Sequence, residues 1–147
     1  MPFAAANEDF AAAVRSLLLG MPYLQWLGLS FVHIAPGEVD FAMPWRREIT
    51  FDGKSVQAGP IGSLLDFAGG AAAFTLAPKH EMLATSDFIV KLVAPAVGNR
   101  FIGRGRVVAR TAATIISRAD VFALQDNAET MIATGLISMR ALSRSAR

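Results

Sequence analysis

The chain of 147 residues contains no cysteine. This excludes a disulfide framework, a thiolate nucleophile and a Cys-type zinc site, and it permits a reducing compartment. Histidine is scarce: His33 and His80 stand far apart and show no metal-ligand spacing, so each reads as a surface or satisfied residue and no metal site is expected. No G-x-S-x-G is present, so the nucleophile elbow of an α/β-hydrolase is missing. Gly103 and Gly105 begin a G-x-G, but no third glycine or following helix completes a dinucleotide motif. Charged residues make up only 18% of the chain and the net charge is +2, which does not call for a nucleic-acid partner. The opening "MPFAAANEDFAAAV" carries acids and lacks a basic start before a long apolar run. It does not read as a secretory signal, and a cytoplasmic protein is expected.

Long apolar runs are nearly absent as well. Residues 58–77, "AGPIGSLLDFAGGAAAFTLA", come closest to a membrane span, yet they are mostly Gly and Ala with Asp66 at the centre. That acid would cost about 2.5–3.5 kcal/mol on insertion, so a buried helix of a soluble protein is expected instead.

What the chain does have is an apolar fraction of 53%, enough for one well-packed domain over residues 1–147. Residues 7–19 predict a helix, with Asn7 as N-cap, Phe10, Val14, Leu17 and Leu18 as the apolar stripe, and Gly20 and Pro22 as its stop. "LGLSFVHI" and "EVDFAMPW" predict a hairpin about Ala35-Pro36-Gly37, with Val39, Phe41 and Met43 opposite Glu38 and Asp40. A loop around Asp52-Gly53 leads to the long apolar helix.

After that helix the period changes to alternation. "LATSDFIVKLVAP" predicts a strand with Ala84, Ser86, Phe88, Val90 and Leu92 on one face and Thr85, Asp87 and Lys91 on the other. "RFIGRGRVVAR" places Arg100, Arg104, Arg106 and Arg110 opposite Phe101, Val107 and Ala109. "TIISRADVFALQ" and "TMIATGLISM" follow, joined at Asp126-Asn127. In "TIISRADVFALQ" the alternation reads as imperfect, because Ile116, Phe122 and Leu124 share a face with Arg118 and Asp120; that outer face is expected to meet another subunit. The tail "RALSRSAR" is expected to fray. The order predicts an α+β fold: a sheet of five or six antiparallel strands wrapped around one long helix, with an extra N-terminal helix.

Asp66 is the one acid in "VQAGPIGSLLDFAGGAAAF". At about 100° per residue, Gly59, Gly62, Ser63, Gly69, Gly70 and Ala73 fall within about 60° of it. Each interior Gly costs a helix up to about 1 kcal/mol relative to Ala, so this near-bare stripe implies a close approach by something. Two readings stand: close packing against another element, with Asp66 capping or paired to an Arg, or the floor of a cleft where Asp66 is a base or nucleophile. Pro60, suited to a first helical turn, leaves the amides near Ala58 and Gly59 poised for a developing oxyanion.

That segment, followed by "TSDFIVKLVAPAVG" and long alternating strands, resembles the hotdog-fold acyl-CoA thioesterases of the phenylacetate-pathway type over roughly residues 25–140. The family commonly shows His-Gly-Gly at the start of its central helix; Gln57-Ala58-Gly59 stands there, and Asp66 holds the family's acid position. The resemblance implies that Asp66 is general base or nucleophile and that the Ala58 amide polarises the thioester carbonyl. Gln57 is left to orient that carbonyl without shuttling a proton. It also implies a role for Thr85, with Ser86 beside it, in positioning water or the acid. Phe51 stands where relatives often carry Asn or Gln. Ser63 and Gly69 of the stripe are expected to touch substrate. Met21, Tyr23, Trp26, Phe67 and Phe74 are candidate walls. The implied partners are an acyl-CoA and a second copy of the chain, in a dimer or a dimer of dimers with the cleft between subunits; no separate cofactor is implied, coenzyme A being part of the substrate.

Arginine suits the phosphates of coenzyme A, which singles out Arg104, Arg106 and Arg110, although four arginines on one strand face are more often a solvated surface. No aromatics interleave them as a nucleic-acid groove would need. Two alternatives remain: a non-catalytic acyl-CoA-binding hotdog protein, and a hotdog dehydratase or hydratase, which would need a His paired with an acid.

Overall fold

A computed structural model describes residues 2–142 of the chain. Of the tail expected to fray, residues 140–147, Arg140 and Ala141 belong instead to the last strand, whose backbone pairing holds them, and residues 143–147 lie outside the described residues.

Helix α1 spans Phe10–Leu19, with Val14 and Leu18 buried. It starts later than expected. The Asn7 side chain accepts the Asp9 amide at 3.1 Å in a turn ahead of the helix, and Asp9 takes the N-cap position. Pro22 does more than stop α1: it is the first residue of a short helix α2, Pro22–Leu27, where its missing N–H leaves nothing unsatisfied. Six residues are too few to show a stripe, so α2 was not expected. Gly28 closes it with φ +71.

Strands β1 (Ser30–Ala35) and β2 (Glu38–Pro44) form the expected hairpin, with Val39, Phe41 and Met43 fully buried. After a 3-10 turn at Arg47–Ile49, helix α3 spans Ala58–Phe74. Strands β3 (Leu83–Leu92), β4 (Arg100–Arg110), β5 (Thr114–Gln125) and β6 (Ala128–Ala141) complete the chain. Asp126 and Asn127 adopt φ of 50 and 62, the positive values that a two-residue hairpin turn requires.

All six strands join one antiparallel sheet in the order β1-β2-β4-β5-β6-β3. Helix α3 packs across one face against β2, β4, β5, β6 and β3. This is the hotdog fold. The helix lies close to the sheet because both sides are bare at the contact: a Cβ on Gly105 would overlap the Ala68 carbonyl oxygen, and one on Gly103 would come within 2.9 Å of Leu64 Cγ. The α+β expectation stands, with six strands.

Two bulges correct the expected faces. An irregularity between Thr85 and Asp87 pairs Thr85 with Met139 and Phe88 with Ile137, so Thr85 shares the helix-facing side with Phe88 and Val90. Strict alternation had set Thr85 opposite them. Between Val107 and Ala109 a second bulge pairs Arg110 with the buried Ile115 and Ala109 with Ile116, turning Arg110 away from the face of Arg104 and Arg106. In β5 the expected faces stand: Ile115, Ser117, Ala119, Val121 and Ala123 are buried, and Ile116, Phe122 and Leu124 share the more exposed face with Arg118 and Asp120.

Candidate active site

Asp66 lies midway along α3, half-buried, on the side of the helix that faces β3. The Thr85 hydroxyl donates to its Oδ1 at 3.0 Å. Met139 Sδ lies 3.2 Å from the same hydroxyl. One proton serves one acceptor, and the carboxylate is the stronger of the two. Asp66 forms no ion pair among the described residues, so the Arg partner considered above is not what compensates it. Burial pushes its carboxyl above the ordinary aspartate range, and the Thr85 bond pulls partly back.

Beside Asp66 opens a cavity of about 210 Å³. Leu18 and Met21 close one side, Phe67, Gly70 and Phe74 form the floor along α3, and Leu83, Thr85 and Met139 complete it. Its walls are chiefly apolar, with the carboxylate and the Thr85 hydroxyl as the polar exceptions. Tyr23 and Trp26 stand outside it, about half exposed and stacked at 6.2 Å and 9°. The Tyr23 hydroxyl lies 2.8 Å from Ser63 Oγ, which itself donates to the Gly59 carbonyl at 3.0 Å. A wider hollow of about 510 Å³ lies among Pro78, His80 and Met82, but Asp66 does not line it.

The glycines of the stripe around Asp66 differ in their surroundings. Gly69 is buried, and a Cβ there would overlap Ile137 Cδ1, so it is a packing contact rather than the substrate floor expected. Gly59 is different. A Cβ added there meets nothing within 4 Å.

At the start of α3, Gln57 is the N-cap in an extended conformation, and its side chain makes no capping bond. The amides of Ala58 and Gly59 therefore have no acceptor within the helix. Gln57 and Ala58 line a second hollow of about 340 Å³, together with Phe51, Ile61 and Leu92. Phe51 is 69% exposed. Asp66 lies eight residues further along, about 12 Å of helix rise, and in a different hollow.

The arginines expected at phosphates are not brought to Asp66. Gly103 and Gly105 face α3, so Arg104 and Arg106 point from the opposite face of the sheet. Arg104 is held by Glu129 at 2.6 and 3.0 Å and covers the Phe122 ring; Arg106 pairs with Asp40 and lies 3.5 Å from Glu38. Arg110 stands with Thr111 and Ile115 at the far end of β4. The Ser86 hydroxyl donates to the Ser138 carbonyl at 3.1 Å, outside the Asp66 cavity. Among the described residues no three His, Cys, Asp or Glu side chains come together to hold a metal ion. No helix among them is long and apolar enough to cross a membrane.

The hotdog fold and the likeness to a solved relative define the class: the chain belongs to the thioesterase family. It is 33% identical to a thioesterase family protein from Silicibacter pomeroyi, over 90% of this chain and 98% of that one, with a TM-score of 0.88. A Halobacterium salinarum protein that carries a provisional esterase name is 31% identical over 97 residues. That match spans 63% of this chain and only 64% of the relative's length. The PaaI protein of the E. coli phenylacetic acid degradation operon shares the fold, with a TM-score of 0.82 at 11% identity over 95% of this chain and 97% of that one. No family model matches the sequence.

Proposed function

We propose that the protein hydrolyses the thioester of an aryl or medium-chain acyl-CoA, releasing the free acid and coenzyme A. The observation that carries this is the Asp66 carboxylate, half-buried and held by Thr85 at the rim of an apolar cavity. A cavity of about 210 Å³ is smaller than the roughly 300–1,000 Å³ of pockets for drug-sized ligands, which favours a ring or medium chain over a long one.

In this reading Asp66 takes a proton from water as the water oxygen attacks the thioester carbonyl. Negative charge gathers on the carbonyl oxygen, the amides of Ala58 and Gly59 receive it, and the carbon–sulfur bond then breaks. The departing sulfur takes up the proton that Asp66 accepted and leaves as the thiol, which returns Asp66 to its carboxylate. Gln57 orients the carbonyl from beside these amides.

About 12 Å of helix separates Asp66 from Ala58, too far for both to act on one carbonyl. A second copy removes the difficulty. Strand β3 is a sheet edge that exposes Phe88, Ile89 and Leu92, an apolar edge of the kind that pairs with another strand. Its start lies at the Asp66 cavity, which Thr85 lines, and its end at the Ala58 hollow, which Leu92 lines. Antiparallel pairing of two β3 edges sets the start of one against the end of the other. The Asp66 of one copy then meets the Ala58 amide of its partner.

Thiol release from aryl, medium-chain and long-chain acyl-CoAs tests the proposal. Aryl or medium-chain turnover that falls at least about a hundredfold in Asp66→Asn, at unchanged oligomeric state, supports it. Binding without turnover in the native protein overturns it in favour of a non-catalytic binder.

A further inference from the structure

Arg46 is the cation that the alternating pattern of β4 did not bring to notice. It follows β2 and precedes the 3-10 turn. Its guanidinium lies over the Trp26 ring, 4.9 Å from the centroid. Nε and Nη2 are buried and have no hydrogen-bond partner among the described residues. These two nitrogens form one edge of the planar fork, the edge that takes two oxygens of a phosphate or carboxylate side by side. Arginine stays charged, so an edge left unmatched opposes the folded state unless an anion meets it.

The surroundings point to a ligand of the active site. Trp26 stacks on Tyr23, Tyr23 reaches Ser63, and Ser63 lies one helical turn before Asp66. Arg46 thus sits at the outer end of a continuous ladder that begins beside the carboxylate. Both rings of the ladder are about half exposed. By contrast, Arg104 and Arg106 already have carboxylate partners on the far face of the sheet.

We infer that Arg46 binds a phosphate of the substrate's thiol carrier, with Trp26 as its rest position in the empty protein. The inference rests on the thioesterase reading for the identity of the ligand, though not for the presence of an anion site. The shared chemistry is a phosphate ester at the end of a pantetheine arm, found both in coenzyme A and in the prosthetic arm of an acyl carrier protein. Binding draws the guanidinium off the indole on its flexible stem. It therefore changes the fluorescence of Trp26 as well as forming the ion pair.

The test is calorimetric titration of the intact native protein, Arg46→Met and Arg46→Lys with coenzyme A, 4′-phosphopantetheine, pantetheine and adenosine 3′,5′-bisphosphate, with tryptophan emission followed in parallel. Coenzyme A is expected to bind Arg46→Met at least about tenfold more weakly, the loss of a charged hydrogen bond, while pantetheine binds native and variant alike. Arg46→Lys should recover part of the difference, since it keeps the charge without the fork. If 4′-phosphopantetheine shows the same loss, the contact is to the phosphate common to both carriers; a loss confined to coenzyme A and the bisphosphate places it on the nucleotide. Equal coenzyme A affinity in native protein and an Arg46→Met variant of unchanged circular dichroism overturns the inference, as does failure of the native protein to bind any phosphate-bearing probe. Arg46-dependent binding without turnover would overturn the thioesterase reading and leave the anion site standing.

Discussion

Thr85 Oγ1 lies 3.0 Å from Asp66 Oδ1 because β3 carries a bulge between Thr85 and Asp87. Regular alternation would turn that hydroxyl to the other face of the strand. The bulge is what brings a proton donor to an acid otherwise surrounded by Gly, Ala and apolar walls.

Removing the hydroxyl tests this contact. Thr85→Val keeps the shape but deletes the donor that lowers the Asp66 pKa. The carboxyl should rise further, the acid limb of the kcat/KM profile should move to higher pH, and kcat/KM should fall about tenfold. Thr85→Ser should restore both. An unmoved acid limb in Thr85→Val would show that the bond does not tune the base.

Asp66, the base of the proposed reaction, also links stability to pH. Burial raises its folded-state pKa above the unfolded value, so the ionised group opposes folding at neutral pH. That penalty is relieved as pH falls through the raised pKa. Asp66→Asn should therefore melt at a higher temperature than the native protein at pH 7, with the gap closing as the pH falls toward the ordinary aspartate range. Thermal melts over that pH series measure it directly.

Two glycines should behave in opposite ways. Gly105→Ala drives a Cβ into the Ala68 carbonyl and should destabilise the protein by about 1–3 kcal/mol or more in urea unfolding. Gly59→Ala has open space and should leave stability unchanged, yet reduce kcat/KM where substrate crosses the start of α3. Equal activity in Gly59→Ala and native protein would remove that site from the path of the substrate.

In the proposed reaction the wall of the Asp66 cavity at Met21 limits acyl length. Met21→Ala enlarges the cavity, and preference should move toward longer chains by about fourfold in relative kcat/KM for each methylene accommodated. A panel of straight-chain acyl-CoAs of increasing length reads this as a displaced optimum; an optimum that stays in place sets the acyl group elsewhere.

Ile89 probes the edge of the sheet. It is 56% exposed on β3, and Ile89→Asp places a charge where a second copy is proposed to pair. Sedimentation should show a smaller species, and thiol release should be lost with it. Full activity in a monomeric variant would mean that one chain holds a complete site.

Much of this fold was legible because its signals are periodic. The strands of the second half alternate, Asp126-Asn127 marks its turn, and the Gly and Ala of α3 announce a helix pressed against a sheet. Asp66 was legible as the one charge in an apolar run. What escaped was local and aperiodic. A bulge leaves no mark in composition, so Thr85 and Arg110 were assigned to the wrong faces. Helix α2 is too short to show a stripe, and its Tyr23 contact to Ser63 joins residues 40 apart in sequence. Arg46 stands in a loop with no repeat to single it out, whereas the arginines of β4 drew notice through their spacing. Of these, Arg104 meets Glu129 of β6 across β5, and Arg106 meets Asp40 of the neighbouring β2.

The position of Asp66 and Ala58 on one helix carries a genetic consequence. If each site takes its acid from one copy and its amides from another, a chain lacking Asp66 and a chain damaged at the start of α3 are both silent alone. Mixed together, they form a dimer in which one of the two sites is whole. Such a pair should regain up to half the native rate per dimer, and complementation between two dead alleles would follow from the length of a single helix.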